Sequence, residues 1–378
     1  MKQTVAKMEA GLAAGVFPGA VLLVAHRKKI VLHRAFGWAM ITPNRVEMMR
    51  DTVFDLASLT KPLVTAAAVA RLLQQNRLAL ENPVKKYLPV FSGGEKDQVT
   101  LFHLLNHSSG LPAWRPYYEK IIKRDKITPG FLGSNEAKKC VFEMARREAL
   151  VAQPGEKSCY SDIGFILLED VIETITQMPL DVFFKRHIRP AAASCEAFFP
   201  AEQKTRYTPG RVFAATEEVS WRGGVISGIV HDDNAFVMGG VAGHAGLFAT
   251  ALDVYRLLAL WRASLEGSGL FDTKNARLFV TRQAGRRGPA GASWGLGWDT
   301  PSHPSGTGGP GVSSSGRFFS PESFGHLGFT GTSIWVDPKH DLTVILLTNR
   351  VHPSRENVSI RVFRPALHDI IFKEVVHG

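Results

Sequence analysis

The chain predicts an α+β fold in which one antiparallel sheet is built from both ends of the sequence, flanked by helices, with a mainly helical lobe inserted in the middle. Two observations at the ends and one between them carry this. GAVLLVAHRKKIVLHRAFGWA near the N-terminus reads as two strands around a charged turn at His26–Lys29, and HLGFTGTSIWVD and LTVILLTN near the C-terminus read as an antiparallel pair around Pro338-Lys339-His340-Asp341. Between these pairs the apolar spacing is mostly helical. Residues 1–60 with 240–378 are therefore assigned to an α/β lobe and 61–239 to a helical lobe, with an active site between them.

In chain order, MKQTVAKMEAGLAAG predicts a short amphipathic helix, and FDLASLTKPLVTAAAVARLLQQ a helix over 58–75. LFHLLNHSSGLPAW closes a helix in a turn. GFILLEDVIETITQ (164–177), DVFFKRHIRP (181–190) and TALDVYRLLALWRASLEG (250–267) carry helical periodicity, the last ended by Gly267. Residues 284–325 are dense in Gly, Pro and Ser and predict loops around short strands. A last helix is expected over 358–375, and there are no internal repeats.

The chain has 378 residues, 45% hydrophobic and 21% charged, ordinary for one large globular domain or two lobes. Cys140, Cys159 and Cys195 are widely spaced and odd in number, with no C-x-x-C pair, and read as buried or incidental thiols. The net charge of +11 comes from scattered residues, among them HRKK at 26–29 and RRG at 286–288, which read as turn and loop charges. A solvated basic surface accounts for them, and no nucleic-acid motif accompanies them. The N-terminus does not read as a signal peptide and no apolar run has membrane-spanning length. The expected compartment is cytoplasmic, or periplasmic or extracellular if a leader was removed.

Ser58 and Lys61 place a hydroxyl and an amine at i and i+3, on one helical face, so the amine can reach the serine oxygen. An alcohol becomes a nucleophile when a nearby base takes its proton, and this spacing supplies a candidate base. Tyr160-Ser161-Asp162 lies in a turn before a helix, where a loop can project side chains into a cleft. A phenol beside an ammonium has its pKa lowered, which would make Tyr160 a usable base. In SFGHLGFTGTSIWVD, His326-Leu327-Gly328 opens a strong strand, and Gly328 would let a substrate approach the strand edge. The Phe329 N–H would then pair with the Ser58 N–H to receive an oxyanion.

These three elements together resemble the serine penicillin-recognising enzymes: class C β-lactamases, DD-peptidases and the related family VIII-type esterases. Their motifs are S-x-x-K, Y-x-N and K-T-G or H-x-G, in that order. The runs LFHLLNHSSGLP, VAGHAGLFAT, WGLGW and GFTGTSIWVDP add to the resemblance, which spans about residues 15–350. It implies a β-lactamase/DD-peptidase-like fold and acyl transfer to Ser58, with Lys61 and Tyr160 sharing the proton traffic. Ser58 and Phe329 would form the oxyanion hole, and Asp162, His326 and Gly328 would line the substrate site. No metal or cofactor is implied; the partner is a small-molecule ester, amide or peptide substrate. Which of Lys61 and Tyr160 is the base stays open at this point.

Two departures bear on the substrate. Asp162 stands where the family often has Asn; it cannot donate to a substrate amide oxygen but can pair with Lys61, raising the lysine pKa. His326 replaces the lysine of K-T-G, and its charge would vary near neutrality. Both lean toward an uncharged ester or amide, with a β-lactamase or DD-carboxypeptidase, or a penicillin-binding sensor without turnover, as alternatives.

Other residues compete for attention. Gly291-Ala292-Ser293-Trp294-Gly295 matches the G-x-S-x-G nucleophile elbow, with Asp337 and His352 later in the chain, but its flanks offer neither a strand before nor a helix after. His103 and His107 sit at i, i+4 without a further ligand and read as satisfied helix-end histidines. His244 could orient substrate but reads as a structural, backbone-bonded histidine. Trp114, Tyr117 and Tyr118 could wall the cleft or fill the core.

Overall fold

The computed structural model describes residues 1–200, 210–285, 287–302 and 313–378. Arg286 and the stretch 303–312, both part of segments assigned to loops from the sequence, lie outside the described residues. Six strands form the main sheet in the order β3-β2-β1-β10-β9-β8. They are β1 (Gly19–His26), β2 (Lys29–Met40), β3 (Val46–Glu47), β8 (Phe324–Leu327), β9 (Ser333–Asp337) and β10 (Leu342–Thr348), and every pairing is antiparallel. The two ends of the chain meet where β1 lies against β10, with Val21 opposite Leu347 and Leu23 opposite Ile345. Two short ladders, β4 (Phe54–Asp55) with β7 (Phe248–Ala249) and β5 (Glu218–Val219) with β6 (Gly224–Val225), lie outside it.

The helices are α1 (Lys2–Ala13), α2 (Ala67–Gln74), α3 (Leu101–Leu105), α4 (Tyr117–Asp125), α5 (Asn135–Arg147), α6 (Asp162–Thr176), α7 (Leu180–His187), α8 (Asp233–Val237), α9 (Ala251–Leu265), α10 (Thr273–Val280) and α11 (Ile360–Val376). None among the described residues is long and apolar enough to cross a membrane.

Strand β1 is apolar at every position from Ala20 to Ala25 because the sheet is covered on both faces. Ala20, Leu22 and Val24 point with Val344 and Leu346 into a cluster closed by Met8 of α1 and Phe363, Leu367 and Ile371 of α11. Val21, Leu23 and Ala25 point the other way, into the larger core with Val254, Leu257 and Trp261 of α9. The period of two along a strand divides one sequence between two cores. Truncating a buried leucine such as Leu367 to alanine would cost about 2–5 kcal/mol.

The helix expected over 58–75 is three pieces: a 3₁₀ turn at Ala57–Leu59, a wide π turn at Lys61–Ala66, and α2. The interruption falls where Ser58 and Lys61 stand, and such wide turns recur at functional positions.

Candidate active site

Ser58 is set by the turn beneath it. The Asp55 carboxylate accepts the Ala57 N–H at 2.8 Å and the His231 N–H at 2.6 Å, and Ala57 adopts φ 46°. Thr60 Oγ1 donates to the Ala57 carbonyl at 2.7 Å and accepts the Leu247 N–H at 3.1 Å. A left-handed non-glycine residue costs energy, which these bonds offset. Ser58 lines a cavity of about 700 Å³ that also touches Tyr160, Asp162, His244 and His326.

Lys61 is completely buried. Its ammonium donates to Ser58 Oγ at 2.9 Å and to the His244 carbonyl at 3.1 Å, and it pairs with Asp162 Oδ1 at 2.6 Å. Two donors thus meet oxygen acceptors and the charge is balanced by a carboxylate; an ammonium so held has no lone pair. Burial alone pushes the Lys61 pKa down, but Asp162 and Tyr160 outweigh it and the net shift is upward. That direction agrees with the expectation from Asp162.

The neighbouring helix supplies the counter-charge and anchors the loop that supplies the carbonyl. Ser161 caps α6 by accepting the Gly164 N–H, which places Asp162 in the first turn. One turn pair later Glu169, buried against Lys138, accepts the Gly243 N–H at 2.8 Å. Thr65 Oγ1 donates to the Gly243 carbonyl at 2.6 Å. A Cβ on Gly243 would sit 2.3 Å from the Phe165 carbonyl oxygen, so only glycine lets this loop press against α6. His244 Nε2 bonds the Asp232 carboxylate at 2.8 Å rather than the expected backbone partner, and its own carbonyl holds the lysine.

Tyr160 stands with Lys61 Nζ 4.7 Å from its ring centroid. Its expected downward shift is corrected: burial raises the Tyr160 pKa, and the stabilising contacts of Lys61 and Ser58 do not overcome it. Desolvation of a phenolate costs more here than one ammonium, already shared with Asp162, returns.

His326 is also corrected. Burial and Lys61 lower its pKa to about 3, so it stays neutral near neutrality rather than titrating there. Its Nδ1–H donates to the Leu327 carbonyl at 2.8 Å, which leaves Nε2 as an acceptor without a partner among the described residues.

Gly328 serves a different close approach from the one expected. A Cβ there would lie 2.0 Å from Thr332 Oγ1 and 2.6 Å from the Leu56 carbonyl, so protein rather than substrate occupies that space. Phe329 is not on the strand but in the turn after β8, with its ring 48% exposed. Two hydroxyls bolt this turn to the Ser58 turn: Thr330 Oγ1 donates to the Asp55 carbonyl at 2.9 Å and Thr332 Oγ1 to the Leu56 carbonyl at 3.1 Å. Arg350 adds two bonds to the Phe329 carbonyl, at 3.0 and 2.6 Å.

Sequence reasoning missed Asp55, Arg350, Trp294 and the position of His107. His103 is satisfied, in a capping box with Thr100. His107 is not: its Nδ1 accepts the Ser161 N–H at 3.1 Å, while Nε2 has no partner among the described residues. Its ring lies 4.6 Å from Tyr160 and 4.5 Å from Trp294. The run HSSGLP, quoted only for its resemblance, was the available signal.

Ser293 lies in an irregular loop and donates to Asp299 at 2.6 Å, while His352 is taken up by the Ile41 N–H and the Thr216 carbonyl and Asp337 by Ser320 and His340. No elbow forms. Trp114 lines the cavity, Tyr117 is core, and Tyr118 packs between Trp114 and Trp221. The three cysteines are free and half-buried.

A family model described as beta-lactamase matches residues 5–365. The chain belongs to the beta-lactamase family. It is 32% identical over 373 residues to a protein of Salmonella typhi provisionally named a D-alanyl-D-alanine carboxypeptidase, covering 91% of this chain and 81% of the relative. Among solved structures it is similar in fold to EstCE1, a hydrolase with promiscuous acyltransferase activity, at TM-score 0.70 and 22% identity over 96% of this chain and 98% of that one. It is likewise similar to the octameric penicillin-binding protein homologue of Pyrococcus abyssi, at TM-score 0.73 and 19% identity over 99% and 79%. The protein is a beta-lactamase-fold serine hydrolase.

Proposed function

We propose that Ser58 is the nucleophile of this hydrolase and that Tyr160, rather than Lys61, takes its proton. The observation that carries this is the environment of Lys61: an ammonium donating to Ser58 Oγ and to the His244 carbonyl, and ion-paired with Asp162, has no lone pair with which to act as a base. Lys61 instead supplies a fixed positive charge beside the Tyr160 oxygen. Burial keeps Tyr160 protonated at rest, so the reactive fraction is small and depends on that charge.

In acylation the Ser58 oxygen bonds to the substrate carbonyl carbon while its proton passes to the Tyr160 oxygen. The carbonyl oxygen becomes an oxyanion held by the Ser58 and Phe329 N–H groups. The intermediate then expels the alcohol or amine, which takes the proton from Tyr160. A water molecule repeats the sequence on the acyl-enzyme, giving its proton to Tyr160 and finally restoring Ser58. Substrates are small esters or amides. The provisional name of the Salmonella relatives favours a peptidase of D-alanyl termini as the second reading.

Replacing Ser58 by alanine should reduce hydrolysis of a short-chain p-nitrophenyl ester by on the order of 10³-fold or more. Ser293→Ala should leave most of it. Dead Ser293→Ala with active Ser58→Ala would overturn the assignment. Mass spectrometry after exposure to a penicillin separates the readings: a persistent adduct on Ser58 indicates a peptidase or a sensor without turnover, and rapid product release a lactamase.

A further inference from the structure

We propose that His107 is a positioning residue of the acyl-transfer reaction: its carbonyl and one ring nitrogen hold the chain on either side of Tyr160, and its imidazole backs the phenol ring. This rests on the reading of Tyr160 as the group that takes the Ser58 proton, and adds the residue that fixes it in place.

His107 follows the C-terminus of α3 in the left-handed backbone region, at φ 58°. A helix that closes this way commonly does so on glycine, which has no Cβ to strain. A histidine is the more costly choice, and its contacts give the reason for it. Its Nδ1 accepts the Ser161 N–H at 3.1 Å, and its carbonyl accepts the Cys159 N–H at 2.8 Å. One residue thus grips the chain immediately before and immediately after Tyr160. The rest of HSSGLPA follows the same loop through main-chain carbonyls. Ser108 accepts the Gly155 N–H at 2.7 Å, Gly110 the Val151 N–H at 2.7 Å and Ala113 the Asp162 N–H at 2.9 Å. Among the described residues of this stretch, His107 alone hydrogen-bonds the loop through its side chain.

The imidazole also packs on the phenol. Ring centroids lie 4.6 Å apart for His107 and Tyr160, 5.4 Å for Tyr160 and Trp294 and 4.5 Å for His107 and Trp294, with Phe165 of α6 5.2 Å behind His107. A ring enclosed in this way has few other directions open to it, so the direction of the Tyr160 oxygen is set by its neighbours. Because Nδ1 accepts, the proton of the neutral imidazole sits on Nε2, which has no hydrogen-bond partner among the described residues. A buried donor without a partner costs stability, which a residue serving the fold alone would avoid. A second proton, on Nδ1, would oppose the Ser161 N–H. Burial, with Lys61 and His326 nearby, prevents it by holding the His107 pKa well below its ordinary value. Tyr160 is among the residues lining the cavity with Ser58 and His107 is not, so His107 acts through the tyrosine.

The test uses the whole chain and a short-chain p-nitrophenyl ester. In His107→Ala kcat should fall by about 10–100-fold with KM within about twofold, as for a proton acceptor displaced by about an ångström. Asparagine carries its amide oxygen on Cγ, where histidine carries Nδ1, and tolerates a left-handed backbone. His107→Asn should therefore recover most of the loss. Glutamine carries its oxygen one bond farther out, and His107→Gln should recover little. The deciding measurement is a double-mutant cycle with Tyr160→Phe. Once the phenol is gone, His107→Ala should lower kcat by less than about threefold, because the two residues act as a unit. Loss of folded protein would scale both backgrounds alike and does not mimic that result. An undiminished loss in the Tyr160→Phe background, or His107→Asn no better than His107→Gln, overturns the proposal. Tyr160→Phe alone checks the reading beneath it: if that variant keeps the kcat of the unmodified protein, the proton acceptor is misassigned whatever the His107 variants do.

Discussion

At the Ser58 end of the cavity the buried Lys61 ammonium meets three acceptors, one of them a carboxylate at 2.6 Å, whereas at the α11 end the buried Arg364 guanidinium meets no carboxylate among the described residues. The contrast separates two uses of a buried cation. One that is fully compensated can shift the proton affinity of its neighbours while staying fixed through a reaction. One without a carboxylate beside it keeps an unbalanced charge at the cavity wall.

The largest effect that would sharpen this contrast is loss of the Ser58 hydroxyl, already described. Next comes Asp162→Asn, which would give Lys61 the uncompensated state of Arg364. The lysine pKa should then fall, since burial acts without its strongest opponent, and the alkaline limb of the kcat/KM profile should move to lower pH. An unchanged profile would break the assignment of Lys61 as a fixed charge. Removing one partner of a buried pair should also destabilise the fold by about 3 kcal/mol. Because the folded Lys61 pKa lies above 10.5, that stabilisation is present below about pH 10.5 and fades as pH rises through the folded value, so the Tm gap between the two proteins should close in strong alkali.

Thr332→Val tests the bolt between the two turns that carry the proposed oxyanion donors, the Ser58 and Phe329 N–H groups. It keeps the side chain's shape and removes only the bond to the Leu56 carbonyl. We expect kcat to fall about tenfold with KM little changed, and Thr332→Ser to restore most of it, as for a donor moved off the oxyanion position. An equal loss in the serine variant would point to packing instead.

The last effect is on stability alone and concerns His326. Its folded pKa of about 3 lies below its ordinary 6.5, so the unfolded chain binds the proton first and stability is lost as pH falls from 6.5 toward 3. This one group contributes a slope of up to about 1.4 kcal/mol per pH unit. Thermal melts between pH 6 and 4 should therefore be less steeply pH-dependent in His326→Gln. Parallel slopes would show that His326 is not held neutral.

The fold was legible because its signals are local and repeated. Continuous apolar runs in β1 and β10, helical spacing between them and the turn at Pro338–Asp341 each follow from a few neighbouring residues. The order of three motifs had pointed to Ser58, Tyr160, Asp162 and His326, which line one cavity, and to Lys61, which is buried against Ser58. The π turn at Lys61–Ala66 was not, since nothing in KPLVTA distinguishes it from an α-helix before Gly243 and Glu169 are packed beside it.

The amino-acid sequence by itself determined the α+β arrangement, the two-ended sheet and the residues available for acyl transfer, because strand and helix periods are written in adjacent side chains. Only the tertiary structure decided the protonation of those residues and the partners of their charges. Whether Tyr160 is raised or lowered, His326 charged or neutral, and Arg364 paired or unpaired depends on burial and on groups far away in the chain. Desolvation grows with what surrounds a group in space, and a one-dimensional pattern does not record it.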